Sequence, residues 1–255
     1  MIKRTFNEAF RLLHNSWLRV IGIVLLVYFI KVAAGTLPIS GTVVIEMNPF
    51  YVLTSNTLTT LLFGALLNSI LFFIMIDYIL LSQHTMRRRF VTACSYPFRN
   101  PKLLYKGVIV LAISYLLLHI IGMMSIYAVI GSLFTASVGF NIRLFIVLFI
   151  YLLIFALIIW LYLGISQSLY ILYDDPDISV FRSIKRSFFL MKGARWSLIG
   201  FIVLSFIGMI IGTLLLVVTG FIILVIYEVG RLAFYQTLLQ RKRQKEWQDK
   251  IKESN

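Results

Sequence analysis

The chain has 255 residues, 60% of them hydrophobic and 13% charged, with a mean hydropathy of +0.92. Water-soluble domains carry about 45–50% apolar and about 25% charged residues, so this balance excludes an ordinary soluble enzyme or a disordered tail and places the chain in a bilayer. The charge is lopsided, 24 Lys and Arg against 10 Asp and Glu; because these bases sit between long apolar runs, the expected anionic partner is lipid headgroup and not nucleic acid.

A membrane helix needs about 20 mostly apolar residues, since the hydrocarbon core is ~30 Å thick and a helix rises ~1.5 Å per residue. The first element in chain order is interfacial. Ile2, Phe6, Phe10, Leu13 and Trp17 recur at three- and four-residue steps and share one helix face, while Lys3, Arg4, Asn7, Arg11 and His14 fall on the others. Thr5 and Glu8 have the spacing of a capping box. Such a helix is expected in the headgroup plane with its aromatic face down. A first span follows over residues 18–37, with Lys31 near its far end. The small residues Val32-Ala33-Ala34-Gly35 resemble a signal-peptide cut site. Lys31 interrupts the apolar run just before them, however, and the stretch ahead of that run is long, so the segment reads as an uncleaved span.

The second span covers 58–82 and carries Asp77 near its end. A basic stretch from Arg87 to Lys106 leads into the third span, 103–130; Pro97 and Pro101 require any helix in that stretch to be short or kinked. His119 sits near the middle of the third span. The fourth, 142–173, is long enough to tilt and holds Ser166, Gln167 and Ser168 in its inner half. Next comes a third interfacial helix, with Asp175 as its cap and Pro176 at its first position. Phe181, Ile184, Phe188 and Met191 form its apolar stripe, opposed by Arg182, Lys185 and Arg186 and followed by Lys192. Gly193 closes it and Trp196 marks the interface where the next span begins. The apolar stretch 196–239 is too long for one crossing. It divides near Thr219-Gly220, because Gly permits a tight reversal, and Glu228 and Arg231 fall in the sixth span.

The bases fix an orientation. Residues 1–19, 82–106, 174–195 and the tail hold all of the Lys and Arg except Lys31, Arg143 and Arg231. Because such residues are retained in the cytoplasm, both termini are expected there, in a plasma membrane, with an even number of crossings. Trp17 and Trp196 each open a span behind a basic amphipathic stretch, and a third such stretch lies midway between them. The fold expected is all-α: a polytopic membrane protein with six transmembrane helices in three helix-hairpin repeats (1–85, 86–175, 176–240), interfacial amphipathic helices and a basic cytoplasmic tail, 241–255. The whole, 1–255, reads as a single integral-membrane domain.

The run Ser166-Gln167-Ser168-Leu169-Tyr170-Ile171-Leu172-Tyr173-Asp174-Asp175-Pro176, followed by Ser187 through Met191-Lys192-Gly193-Ala194-Arg195-Trp196, resembles a family of bacterial integral-membrane proteins, domain-of-unknown-function family 975. That family has a Tyr-rich helix end, an acidic-Pro turn, a basic helix closing in Met-Lys-Gly and a Trp-led span. Its last span ends in a Pro-Tyr and a Phe-Tyr pair; Phe234-Tyr235 fits the second, and Ile226-Tyr227 stands in place of the first. The chain is also similar to the membrane domain that precedes some bacterial glycerophosphodiesterases. The resemblance implies a multi-pass protein of the bacterial plasma membrane, with no assigned reaction and no catalytic residue to carry over.

Cys94 is alone, so no intramolecular disulfide forms, and His14, His84 and His119 show no metal-binding spacing. With no P-loop, nucleophile elbow or dinucleotide fingerprint, neither enzymatic activity nor a cofactor is expected. Ionisable groups inside spans are costly and are the functional candidates: His119, Glu228 and Arg231, with Gln167 and Asp77. Taken singly, each has a structural reading. Glu228 and Arg231 pair along one helix face, His119 and Gln167 bond between helices, and Asp77 reaches the Arg87 cluster or snorkels to water.

Two functions follow. One is a non-enzymatic accessory or scaffold protein that contacts anionic lipid and other membrane proteins through Arg11, Trp17, Arg182, Lys185, Arg186, Lys192 and Trp196. The alternative is a small transporter or lipid-handling protein, if His119, Glu228 and Arg231 converge on one polar site.

Overall fold

A computed structural model describes residues 1–14, 16–34, 55–82, 90–138 and 142–254. Among them the chain is all helix, in the order α1 (Ile2–Leu13), α2 (Trp17–Ala33), α3 (Ser55–Ser82), α4 (Phe90–Arg99), α5 (Pro101–Val138), α6 (Ile142–Ile165), α7 (Ser168–Asp174), α8 (Val180–Leu190), α9 (Arg195–Leu215) and α10 (Val217–Ser254). Five stretches are long and apolar enough to cross a membrane: Leu61–Leu80, Pro101–Ser125, Ile146–Asp174, Arg195–Leu215 and Thr219–Gln244. A sixth is reached if α1 and α2, bent by 103°, count as one span. α6 and α9 expose apolar side chains along their length, such as Val147, Leu153, Phe206 and Leu214, which suits lipid and not water. Most of the core packing falls on α3 and α10.

The bend between α1 and α2 lies at Ser16, whose hydroxyl donates to the Leu12 carbonyl at 3.3 Å. Trp17 therefore opens α2 instead of extending the aromatic face of α1. That face is divided: Phe6 packs on Phe201 of α9 with ring centroids 5.4 Å apart, and Thr5, Ala9, Leu12 and Leu13 are buried, while Phe10 stays exposed. The expected capping box does not form, because the helix begins too early. Met1 is the N-cap, the buried Thr5 hydroxyl donates to the Met1 carbonyl, and Glu8 pairs with Arg11 at 2.8 Å.

α4 is short and holds Pro97, and Asn100 separates it from Pro101 at the start of α5, as the prolines require. The reversal between the last two spans falls at Leu216, which is extended (φ −156°, ψ 132°), and not at Thr219-Gly220. Gly220 lies inside α10, where a Cβ would strike Thr213 of α9. Its small size serves close helix approach and not a turn.

α8 is capped by Ser179, whose Oγ accepts from the Arg182 N–H at 3.4 Å; Asp175 and Pro176 stay in the preceding turn. Gly193, at φ 75°, provides the left-handed step that closes the segment. The face of α8 turned to the protein is Ser183, Ser187 and Leu190, with Ile184 and Phe188 half-buried and Met191 buried. Phe181 is 77% exposed and so leaves the expected stripe.

The basic segments meet at one end of the bundle. Arg4 donates to Gln240 Oε1 at 3.3 Å, Lys106 donates to the Pro176 carbonyl at 2.6 Å, and the Tyr96 and Tyr173 rings are 5.5 Å apart. Arg195 behaves differently. It is 7% exposed, with its guanidinium 3.7 Å from the Trp160 ring centroid.

Candidate functional site

The polar groups of the spans fall into an inner cluster and a cleft at the basic end. In the inner cluster, Glu228 and Arg231 stand one turn apart on α10, as their spacing predicts, with Arg231 Nη1 3.4 Å from Glu228 Oε2. A third member comes from α2, since the Tyr28 hydroxyl donates to Glu228 Oε1 at 2.5 Å. Lys31, one turn further along α2, lies 5.0 Å from the centroid of the Tyr28 ring.

Around Arg231, within electrostatic range, are Tyr115 of α5, Tyr162 of α6, Tyr170 of α7 and Tyr227 of α10. The Glu228 side chain is 4% exposed, whereas that of Arg231 keeps 32%. Of the five N–H donors of its guanidinium, Arg231 uses one nitrogen on Glu228.

The cleft at the basic end has a volume of about 710 Å³. Its floor is apolar, formed by Ile76, Leu80, Leu232 and Leu239 with the ring of Tyr170. Its mouth carries Asp174 and Asp175 after α7, Arg186 on α8, and Lys242 and Arg243 on α10. The Tyr235 hydroxyl donates to Asp174 Oδ2 at 2.5 Å. Arg186 and Asp175 are 4.0 Å apart, at the limit of an ion pair. Burial, and then the nearby carboxylates of Asp77 and Asp174, raise the hydroxyl of Tyr96 on α4 above the usual tyrosine range, so it remains a neutral donor. Tyr170 belongs to both regions: it lines the cleft and lies within range of Arg231.

The other candidates do not join Glu228 and Arg231. His119 on α5 is half-buried, its Nε2 has no hydrogen-bond partner among the described residues, and no bond links it to the ion pair. It stands one turn beyond Tyr115. Asp77 does not snorkel. It is 3% exposed and accepts a 3.0 Å hydrogen bond from Tyr173, while Arg87 to Arg89 lie outside the described residues.

Gln167 marks a break in the fourth span between α6 and α7, at the polar triplet Ser166-Gln167-Ser168, where the sequence predicts a continuous helix. Ser187 of α8 splices that break. Its hydroxyl accepts from the Gln167 backbone N–H at 3.2 Å and donates to the Gly164 carbonyl at 2.5 Å. The backbone groups freed by the break are thereby satisfied, as membrane depth demands.

Sequence reasoning missed Tyr28, Tyr170, Tyr173, Asp174 and Tyr235. One available signal was the i,i+3 spacing of Tyr28 and Lys31, which repeats that of Glu228 and Arg231 on another span.

Of the interfacial residues, Arg11 is tied to Glu8. Arg182, Lys185, Arg186, Lys192 and Trp196 are exposed, and Trp17 is half-buried.

Fold and site together define a helical, membrane-type protein with five or six apolar helices able to span a bilayer and polar groups enclosed among them. The chain belongs to the DUF975 family, described as proteins of unknown function, whose model matches residues 4–242. No curated protein and no solved structure matches it. The likeness to the membrane domain of glycerophosphodiesterases finds no support in these comparisons.

Proposed function

We propose that this is a non-enzymatic lipid-handling protein of the bacterial plasma membrane, with six crossings and with its basic end and both termini in the cytoplasm. The excess of Lys and Arg at that end supports the orientation. One observation carries the function: the cleft has a charged mouth and an apolar floor, and the floor ends on Tyr170, beside the inner cluster around Arg231. This is the shape of an amphiphile, with its headgroup at the level of the interfacial helices and its chains against Leu80, Leu232 and Leu239.

The test is lipid-dependent stabilisation of the purified, delipidated protein. Added phospholipid should raise its melting temperature, and Gln236→Trp, which fills the cleft from a half-buried position, should remove most of that rise. A rise of equal size in both proteins would count against the cleft.

A second reading, an accessory protein that contacts anionic lipid and docks other membrane proteins, rests on a different surface. Phe181, Phe189 and Trp196 are exposed beside Arg182, Lys185 and Lys192, which suits insertion at a headgroup layer. Replacing Arg182 and Lys185 by Gln should weaken co-purification of partners and binding to anionic vesicles. An unchanged interaction profile would remove this reading.

A further inference from the structure

We infer that the cleft at the basic end selects a phospholipid whose phosphodiester bears a primary ammonium, a headgroup of the phosphoethanolamine type. This inference rests on the lipid-handling reading and names its ligand class. The first argument is charge placement. Only 10 residues of the chain are acidic, yet two consecutive ones, Asp174 and Asp175, stand at the mouth of the cleft on the end of the bundle richest in bases. A site for a purely anionic headgroup gains nothing from two carboxylates, whereas a zwitterion needs both signs. Arg186, Lys242 and Arg243 supply the positive side for the phosphate.

The second argument is unused bonding capacity. Asp174 accepts from Tyr235 through Oδ2, and among the described residues no hydrogen bond reaches Oδ1. Asp175 meets Arg186 only at 4.0 Å, with both side chains about half exposed, so neither is committed to the other. Arg243 interacts with Asp174 only through its field.

The third argument separates a primary from a quaternary ammonium. A quaternary ammonium is held by open aromatic faces. Here the Tyr170 and Tyr235 rings stack on each other, 5.3 Å apart and 21° from parallel, and Tyr173 packs on Tyr96 at 5.5 Å. Tyr170 and Tyr235 are also buried, so they offer no open face to a cation, and the carboxylate oxygens are left as its acceptors. These can take N–H donors, which a trimethylammonium lacks.

The experiment measures binding of the full-length protein in nanodiscs or detergent to dioleoyl phosphatidylethanolamine, phosphatidylcholine and phosphatidylglycerol, by native mass spectrometry and thermal shift. Phosphatidylethanolamine should bind about tenfold more tightly than the other two, the worth of one charge-assisted hydrogen bond. Asp175→Asn, at a half-exposed turn position, should shrink the preference for phosphatidylethanolamine over phosphatidylcholine, and adding Asp174→Asn should erase it. Arg243→Gln should weaken all three lipids alike. Equal or tighter binding of phosphatidylglycerol by the unaltered protein would overturn the headgroup assignment and leave lipid handling standing, whereas no binding of any lipid would overturn both. Glycerophosphoethanolamine is the soluble arm. Binding of that compound without binding of the lipid would overturn the lipid as its source.

Discussion

The hydroxyl of Tyr28 donates a 2.5 Å hydrogen bond to Glu228, joining α2 to α10 through residues 200 positions apart. Glu228 in turn holds Arg231 at 3.4 Å, so one buried carboxylate serves a hydroxyl on one helix and a guanidinium on its own. Tyr28→Phe removes the first bond and leaves the charges of Glu228 and Arg231 in place. Bonds to charged groups contribute about 1.5–3 kcal/mol in water, but membrane bonds average about 0.6, so the expected loss is about 1 kcal/mol. Denaturation in mixed micelles would measure it.

Glu228→Gln should be more damaging, by roughly 3–5 kcal/mol, because Arg231 then keeps its charge without a counter-ion inside the bundle. Removing both charges, with Glu228→Gln and Arg231→Gln together, should recover much of that loss. Protein level and deletion phenotype should be read alongside, with His119→Asn as a comparison. Full abundance with lost function in the double variant is the outcome expected of a binding chamber. Full abundance with intact function would leave the pair a packing role only.

Ser187→Ala tests the splice in the fourth span. Its hydroxyl satisfies both the Gln167 N–H and the Gly164 carbonyl, and Ala leaves two buried backbone groups without partners. At about 1–3 kcal/mol for each group left unsatisfied, the variant should lose about 2–6 kcal/mol. Amide exchange should accelerate most at Gln167. Uniform acceleration along α6 and α7 would mean that Ser187 is not the splice.

The contrast between Gly220 and Glu228 shows what the sequence could disclose. Apolar runs are legible because a bilayer fixes their length, and the Glu228 and Arg231 pair is legible because i,i+3 spacing sets a local geometry. Tyr28 is not legible as the partner of Glu228, since nothing local links residues on different spans. Gly220 misled for a related reason. A glycine serves a turn or a close helix contact equally well, and only the position of Thr213 decides between them. The stripe on α8 failed at Phe181 because Ser183, Ser187 and Leu190 take the innermost positions, with Ser187 bonded to the break at Gln167. In each case the missing information was a tertiary neighbour.

The Gly220 contact also makes a prediction. Gly220→Ala would place a Cβ against Thr213 Oγ1, so the α9 and α10 hairpin must splay or Thr213 must give way. Overpacking of this kind costs about 1–3 kcal/mol. Thr213→Ala should relieve it, because the Thr213 Cβ would lie 3.4 Å away and could be accommodated by a small shift. The pair of substitutions should therefore be less destabilising than their sum, measured as a double-mutant cycle. Strict additivity would show that the two residues do not touch.

Arg195 offers a spectroscopic test of the basic end. Its guanidinium stacks 3.7 Å from the centroid of Trp160 and 5.2 Å from that of Phe188, while its Nε and Nη1 are buried without hydrogen-bond partners. With no acceptor at those nitrogens, the aromatic faces are what hold the charge, at about 0.5–2 kcal/mol. Arg195→Lys keeps the charge and loses the planar fork, so stability should fall by about 1 kcal/mol. Tryptophan emission should shift, because Trp160 loses the cation from its face. The same substitution in a Trp160→Phe background should leave the remaining emission unchanged. A shift that persists without Trp160 would mean that Arg195 is held by other contacts.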